Sequence, residues 1–171
     1  AATARMVNRP ATLDTLVATN LHADILSDLA AALAGSLGIA PTGNIDPERR
    51  YPSMFEPIHG SAFDIMGKGL ANPVGTFWSV VMLLEHLGEL EAASRVMQAI
   101  EHVTGNPALH TRDLGGNATT RDVTQAVCAA LADNKLVEGE MDALLSLADA
   151  FNFRPEHAKG FIRWVRDSLE L

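Results

Sequence analysis

The feature that most constrains the fold of this chain is a short apolar run that leads into a helical pattern. Residues 15–19, Thr-Leu-Val-Ala-Thr, are apolar and partly β-branched, which is typical of a buried strand. Asn20 then suits a turn or a helix cap, and residues 23–33 have apolar side chains at helical spacing up to Gly35, a natural C-terminal stop. The segment therefore predicts a strand–turn–helix unit within an α/β fold.

The rest of the first 131 residues reads as helices separated by glycine, proline or threonine signals. A helix over residues 1–9 is stopped by Pro10. Between Gly35 and Asn72 glycine and proline recur, which predicts a long irregular segment of the kind that often carries function. Three more helices are predicted: Pro73 to Leu87 with a stop at Gly88, about Leu90 to Val103 with a break at Gly105-Asn106-Pro107, and a helix capped by Thr119 or Thr120 that runs through Val127 to Leu131.

The last part of the chain, residues 132–171, has a different character. Two apolar stripes at helical spacing predict a helical hairpin whose stripes are packing surfaces: Met141, Leu144, Leu145, Ala148 and Phe151, then Phe161, Val165 and Leu169 after Pro155. We therefore predict a domain boundary at residue 131, followed by an all-helical C-terminal extension of unknown role.

Composition excludes several classes of protein. A formal net charge of −8 argues against non-specific binding to nucleic acid or anionic membranes, and no apolar run is long enough to span a bilayer. Cys128 is the only cysteine, so neither an intrachain disulfide nor a cysteine-based zinc site is possible, and a reducing cytoplasm fits. The N-terminus lacks both an initiator methionine and the pattern of a signal peptide, and we expect the chain to be cut from a longer one.

Two aspartates on the predicted first long helix are the first candidate site. Asp24 and Asp28 are four residues apart, so they lie one above the other on the same helix face. Carboxylates placed in this way repel each other unless a cation or water lies between them, and Mg²⁺ and Mn²⁺ prefer such oxygen ligands. A solvated helix face is the alternative interpretation.

A second candidate site is the glycine-bearing stretch over residues 55–73. It contains one histidine, one lysine, one asparagine and Asp64, and it leads into a helix. Glycines let a ligand approach the backbone closely, an aspartate can accept both hydroxyls of a ribose, and an asparagine can pair with an adenine edge. The alternative is a turn-rich surface loop. The common nucleotide-binding and hydrolase motifs, such as Gly-x-Gly-x-x-Gly and Gly-x-Ser-x-Gly, are absent from the sequence.

These two stretches, in this order and at this distance, closely resemble the β-decarboxylating dehydrogenases, which include isopropylmalate, isocitrate and tartrate/D-malate dehydrogenases. The resemblance covers roughly residues 1–131, including the region Asp113-Leu114-Gly115-Gly116 and Thr119-Thr120. Phe63, where many relatives have proline, looks most like the tartrate/D-malate branch, together with residues 66–73 and Phe77-Trp78. The resemblance implies the C-terminal part of an isopropylmalate-dehydrogenase-like fold, which differs from the usual dinucleotide-binding fold.

The resemblance also implies roles for individual residues. Asp24 and Asp28 match two of three metal-binding aspartates that hold Mn²⁺ or Mg²⁺ against a 2-hydroxy acid, where the metal acts as a Lewis acid in oxidation and decarboxylation. Six residues match the loop that binds the adenosine side of NAD: His59, Gly60, Ser61, Ala62, Asp64 and Asn72. Asp64 would repel a 2′-phosphate and so favours NAD over NADP. A homodimer is implied for the complete enzyme, with K⁺ as a further candidate ion.

Other family roles have no residue here. The third metal aspartate would fall immediately before Ala1, and the arginines that hold substrate, with the tyrosine and lysine of proton transfer, would lie further upstream. Tyr51 is not at the family's tyrosine position, so no catalytic residue is assigned. Within the family isopropylmalate dehydrogenase is the alternative, and from another class a non-catalytic remnant whose helical tail mediates protein–protein interaction.

Overall fold

The computed structural model describes residues 1–133. Within them the elements follow in this order: α1 (Ala2–Asn8), a 3-10 turn (Pro10–Thr12), α2 (Asn20–Ala34), a 3-10 turn (Leu37–Ile39), β1 (Pro41–Asn44), β2 (Met54–Pro57), α3 (Val74–Leu87), α4 (Leu90–Thr104), two 3-10 turns (Pro107–Leu109 and Arg112–Leu114) and α5 (Thr120–Asp133). The predicted helical extension covers residues 132–171, and its residues after 133 lie outside the described part of the chain. The predicted domain boundary at residue 131 stays a prediction.

Helices α3, α4 and α5 form the core. Each presents an apolar face to the others, and the buried residues are Val74, Val81, Leu84, Ala93, Ala99, Ile100, Val103, Val123 and Val127. Val103 and Val127 are 1% and 0% exposed, so the centre of this cluster lies between α4 and α5. The predicted bounds of α3 and α4 are confirmed. Gly88 ends α3 as predicted, in the left-handed conformation that glycine adopts without strain.

A small antiparallel hairpin packs against α3, where the sequence predicted an irregular segment. Strand β1 pairs with β2 in a register that joins Pro41 to Pro57 and Asn44 to Met54. The strands were missed because they are only four residues long and contain proline and glycine, which are rare in strands. The described fold is therefore mostly helical with one two-stranded sheet, and the α/β prediction holds only in that reduced form.

Asp46 organises the loop of the hairpin. Its carboxylate accepts hydrogen bonds from the backbone N–H groups of Glu48, Arg50 and Tyr51 at 3.1, 2.9 and 2.9 Å. The bond from Tyr51 makes the largest contribution to holding the pKa of Asp46 below its ordinary value. A single side chain thus accepts hydrogen bonds from three backbone N–H groups that have no partner in a helix or a strand.

Close contact between α3 and the hairpin requires a glycine at position 75. A Cβ atom on Gly75 would lie 2.9 Å from the carbonyl oxygen of Gly38 and 3.2 Å from that of Ala40. Both neighbours are backbone atoms, so neither can move aside without shifting a whole segment. Gly75 therefore sets how near the start of α3 lies to the chain that enters β1.

The predicted strand at Thr15–Thr19 is wrong. These residues adopt no regular secondary structure, and Leu16 and Val17 are 45% and 97% exposed. A strand is stable only when a neighbour pairs with its backbone groups, and the two strands among residues 1–133 pair with each other. The apolar run is therefore an exposed connection between the 3-10 turn after α1 and helix α2.

Helix α2 is confirmed, but it begins earlier than predicted. It starts at Asn20, three residues before the predicted start, and Thr19 is its N-cap residue. As a result Asp24 and Asp28 lie beyond the first turn, where the helix dipole would stabilise a carboxylate most strongly. Among residues 1–133 no helix combines the length and apolarity needed to cross a membrane.

Candidate functional site

Helix α2 presents the two predicted metal ligands to solvent. Asp24 and Asp28 are both exposed and lie one turn apart on the same helix. Ser27 donates a hydrogen bond to the backbone carbonyl of Asp24 at 3.0 Å and leaves the carboxylate unused. Both carboxylates are therefore accessible to a cation from outside the helix.

These two carboxylates form only part of a metal site. No group of three His, Cys, Asp or Glu residues within residues 1–133 is arranged to hold a metal ion. An ion such as Mg²⁺ usually combines one or two carboxylates with substrate oxygens and water. The assignment of Asp24 and Asp28 as metal ligands stays a prediction that this geometry accommodates.

Five of the six predicted cofactor residues lie on one loop that leaves β2. The loop starts where Ile58 donates its N–H to the carbonyl of Ala40 at 3.0 Å. His59 is half-buried and its Nδ1 lies 3.1 Å from the carbonyl oxygen of Gly60. The other four are exposed: Gly60, Ser61, Ala62 and Asp64. This part of the loop is open to a ligand.

The backbone of this loop forms tight turns in which several residues have positive φ values. Ala62 has a φ of 43°, an uncommon value for a residue with a side chain, and Gly67 and Gly69 have φ values of 73° and 65°. Consecutive turns are closed by hydrogen bonds from Ile65 to Ala62 at 3.0 Å and from Lys68 to Ile65 at 3.1 Å. The glycines adopt these values without strain, whereas Ala62 is strained, and strained positions of this kind cluster at binding sites.

Asn72 lies at the other end of the loop, and its environment differs from the prediction. It is 6% exposed; its Nδ2 donates to Oδ2 of Asp113 at 3.0 Å, and its Oδ1 accepts the N–H of Val74 at 3.0 Å. The paired donor and acceptor that were expected to contact an adenine edge are therefore both bonded inside the protein. Asn72 stays a predicted cofactor residue, but its side-chain oxygen already has a partner.

Asp113 belongs to the region that carries the family resemblance, but the sequence assigned it no role in the site. Its carboxylate also accepts a hydrogen bond from Thr111 Oγ1 at 2.6 Å and another from Ser36 Oγ. Partial burial acts to raise the pKa of Asp113, but the bonds from Ser36, Thr111 and Asn72 together hold that pKa below its ordinary value. Ser36 and Asp113 are 77 positions apart, so spacing in the sequence offers no signal of this contact.

The start of α5 fixes the same end of the loop. Thr120 donates its N–H to the carbonyl of Gly69 at 2.9 Å and its hydroxyl to that of Ala71 at 2.5 Å. Thr119 exchanges hydrogen bonds with Asp122, which caps the helix and confirms the predicted threonine cap. The loop is thus anchored at residues 58 and 69–72 and exposed between them.

Comparison with known proteins agrees with this arrangement. Residues 1–127 match the family described as isocitrate/isopropylmalate dehydrogenase. The chain is 66% identical over 138 residues to a probable tartrate dehydrogenase/decarboxylase of Agrobacterium vitis, a match that covers 81% of this chain and 38% of that protein. It is 48% identical over 130 residues to the decarboxylating D-malate dehydrogenase of Escherichia coli K12, which covers 73% of this chain and 36% of that enzyme.

A solved structure shares the fold. The isocitrate dehydrogenase of Methylococcus capsulatus superimposes with a TM-score of 0.71 at 39% sequence identity, over 76% of this chain and 38% of that one. The chain therefore spans less than half the length of the relatives it matches. It belongs to the isocitrate/isopropylmalate dehydrogenase family of oxidoreductases, and it corresponds to part of such an enzyme.

Proposed function

We propose that this chain supplies the metal-binding helix and the adenosine-binding loop of an NAD-dependent, divalent-metal-dependent 2-hydroxy-acid dehydrogenase of the tartrate/D-malate type. The identity of 66% with a probable tartrate dehydrogenase/decarboxylase carries this proposal. The similarity to a decarboxylating D-malate dehydrogenase supports oxidative decarboxylation as the reaction. The names of these two relatives favour the tartrate/D-malate branch of the family over isopropylmalate dehydrogenase.

Helix α2 fits the role of a metal-binding element. Asp24 and Asp28 are exposed, lie on one face and offer hard oxygen ligands. A bound Mn²⁺ or Mg²⁺ would supply Lewis-acid polarisation of the substrate's hydroxyl and carboxylate oxygens. The two aspartates would hold and orient that ion, and the remaining ligands would come from the substrate and from the rest of the enzyme.

The loop after β2 fits the adenosine side of NAD. Its exposed stretch from Gly60 to Asp64 lies between two anchored ends, and the exposed Asp64 carboxylate can accept ribose hydroxyls. A 2′-phosphate beside that carboxylate would suffer charge repulsion, which favours NAD over NADP. Because the Oδ1 of Asn72 is bonded to Val74, Asn72 would contact the adenine through its backbone.

Proton transfer is assigned to the rest of the enzyme. Tyr51, the single tyrosine of the chain, is 73% exposed on the hairpin loop and donates its N–H to Asp46. Among the described residues no hydrogen bond or ion pair joins it to α2 or to the loop after β2. We therefore assign it no chemical role, and the acid–base groups would lie upstream of Ala1.

A chimera tests the proposal. The part of the Agrobacterium relative that precedes the matched region is fused ahead of Ala1, and NADH formation from D-malate and from tartrate is measured with Mn²⁺. We expect NAD-dependent turnover that Asp24→Asn abolishes, whereas Asp14→Asn, which neutralises an exposed aspartate outside the helices, leaves it unchanged. Turnover that survives Asp24→Asn at the wild-type rate would contradict the assignment of α2.

A further inference from the structure

One carboxylate joins the two halves of the candidate site. Asp113 accepts hydrogen bonds from Ser36, which lies two residues beyond the end of α2, and from Asn72, which ends the loop after β2. Thr111 donates to its other oxygen at 2.6 Å. Ser36, Asn72 and Thr111 are 8%, 6% and 1% exposed, so the three donors are buried, whereas Asp113 itself keeps part of its surface exposed to solvent.

We propose that Asp113 is a positioning residue that orients the Asn72 amide and ties the end of the cofactor loop to the end of helix α2. This inference rests on the proposed function, because it concerns how that loop and that helix are held. Asp113 itself contacts neither cofactor nor metal in this proposal; it acts through Asn72 and Ser36.

The hydrogen-bond pattern fixes the charge and the orientation. The Ser36 hydroxyl accepts the N–H of Gly38 at 2.8 Å, which leaves its own proton for Asp113. Asn72 donates from Nδ2 because its Oδ1 is occupied by the N–H of Val74. With three donors converging on it, Asp113 must be an ionised acceptor. Rotating the Asn72 amide by half a turn would place an NH₂ group against the N–H of Val74, so the two contacts allow one orientation only.

The same contacts hold the turn after α2 and the end of the loop after β2 in a fixed arrangement. A Cβ atom on Gly38 would lie 2.9 Å from both Cβ of Asn72 and Oδ2 of Asp113, so the turn after α2 packs directly on the end of the loop. The loop is then held at both ends before a ligand arrives. Such preorganisation lowers the entropy cost of binding, and its loss is expected to weaken binding of the cofactor more than the chemistry that follows.

The substitution Asp113→Asn tests the proposal in the chimera. The new amide keeps the size of the carboxylate but can accept at only one atom, and its NH₂ group faces a donor. We expect the KM for NAD to rise about tenfold, as for loss of hydrogen bonds to a charged group, while kcat changes less than about threefold. Asp46→Asn is the matched control, because it also removes a hydrogen-bonded carboxylate but lies between β1 and β2 and has no bond to Asn72 or to the loop after β2. It should leave the KM for NAD unchanged.

A spectroscopic signal reports the orientation directly. In the isolated chain labelled with ¹⁵N-asparagine, the Asn72 side-chain signals should shift in Asp113→Asn and stay in place in Asp46→Asn. Ser36→Ala should raise the KM for NAD less than Asp113→Asn, and the double variant should match Asp113→Asn alone, because both changes act on one contact. Ser36→Ala alone keeps the test available if Asp113→Asn fails to fold, since it should still raise the KM for NAD.

An unchanged KM for NAD in Asp113→Asn, or an equal rise in Asp46→Asn, would overturn the proposal. So would Asn72 signals that do not respond to loss of the Asp113 charge. A wild-type chimera that uses no NAD overturns the proposed function instead; in that case the Asn72 signals alone decide whether Asp113 orients this amide.

Discussion

Gly75→Ala is expected to destabilise the protein even though it replaces glycine in a helix. In an exposed helix interior the exchange would be stabilising by about 1 kcal/mol, because alanine loses less conformational entropy. At position 75 the added Cβ atom would lie 2.9 Å from the Gly38 carbonyl oxygen and 3.2 Å from that of Ala40. Contacts this short force α3 away from the hairpin, and overpacking of this kind costs about 1–3 kcal/mol.

The clash should prevail over the propensity gain for two reasons. Gly75 lies in the first turn of α3, where the stability gained from the higher helix propensity of alanine is smallest. Both atoms in the way belong to the backbone, so relief requires movement of the segment that enters β1. We therefore expect a net loss of about 1–2 kcal/mol, within the range that overpacked cores show.

Urea denaturation followed by circular dichroism measures this effect. With a slope of about 2 kcal/mol per molar, the midpoint of Gly75→Ala should fall by about 0.5–1 M. Thr76→Ala is the matched control: it lies one residue further along α3, its side chain is exposed, and its midpoint should stay within about 0.3 M of the wild type. A Gly75→Ala midpoint at or above that of the wild type would refute the close contact between α3 and the hairpin.

Three further predictions follow from the site. Mn²⁺ titrated into the isolated chain by calorimetry should bind weakly or undetectably, and Asp24→Asn should abolish any signal; tight binding that survives would place the site elsewhere. Asp64→Ala in the chimera should raise the KM for NAD and reduce the preference for NAD over NADP. A wild-type chimera that prefers NADP would show that the role of the loop is misassigned. Because folding lowers the pKa of Asp113, its stabilising contribution is present above the unfolded pKa of about 4 and is lost as pH falls through the folded value. The stability difference between wild type and Asp113→Asn, measured in urea, should therefore shrink below about pH 4; a constant difference would contradict an ionised Asp113.

The sequence predicted those elements whose signals are local. Helices α3 and α4 follow from apolar periodicity and from Gly88 and the break after residue 104, so their bounds agree with the structure within about two residues. The i, i+4 spacing of Asp24 and Asp28 likewise places both on one helix, whatever the rest of the fold does. Short-range geometry alone suffices for these features.

The features that were missed depend on distant contacts. The apolar run at residues 15–19 has the composition of a strand, but composition does not supply the neighbour that a strand needs. The hairpin has strands of poor propensity and is held by α3 and by Asp46 instead. The contacts of Asp113 span 77 and 41 positions to Ser36 and Asn72, and no pattern within a single sequence reports such pairs.

Formation of NADH from D-malate and tartrate, compared between the isolated chain and the chimera, tests the central claim most directly. The claim predicts no NADH above background from the isolated chain with NAD and Mn²⁺, because each missing acid or base costs a factor of about 10² to 10⁴ and the arginines expected to hold the substrate would lie upstream of Ala1. It predicts turnover once the upstream part is restored. Robust NADH formation by the isolated chain would show that groups within it supply the proton transfers, and a chimera that stays inactive although folded would contradict the proposed function.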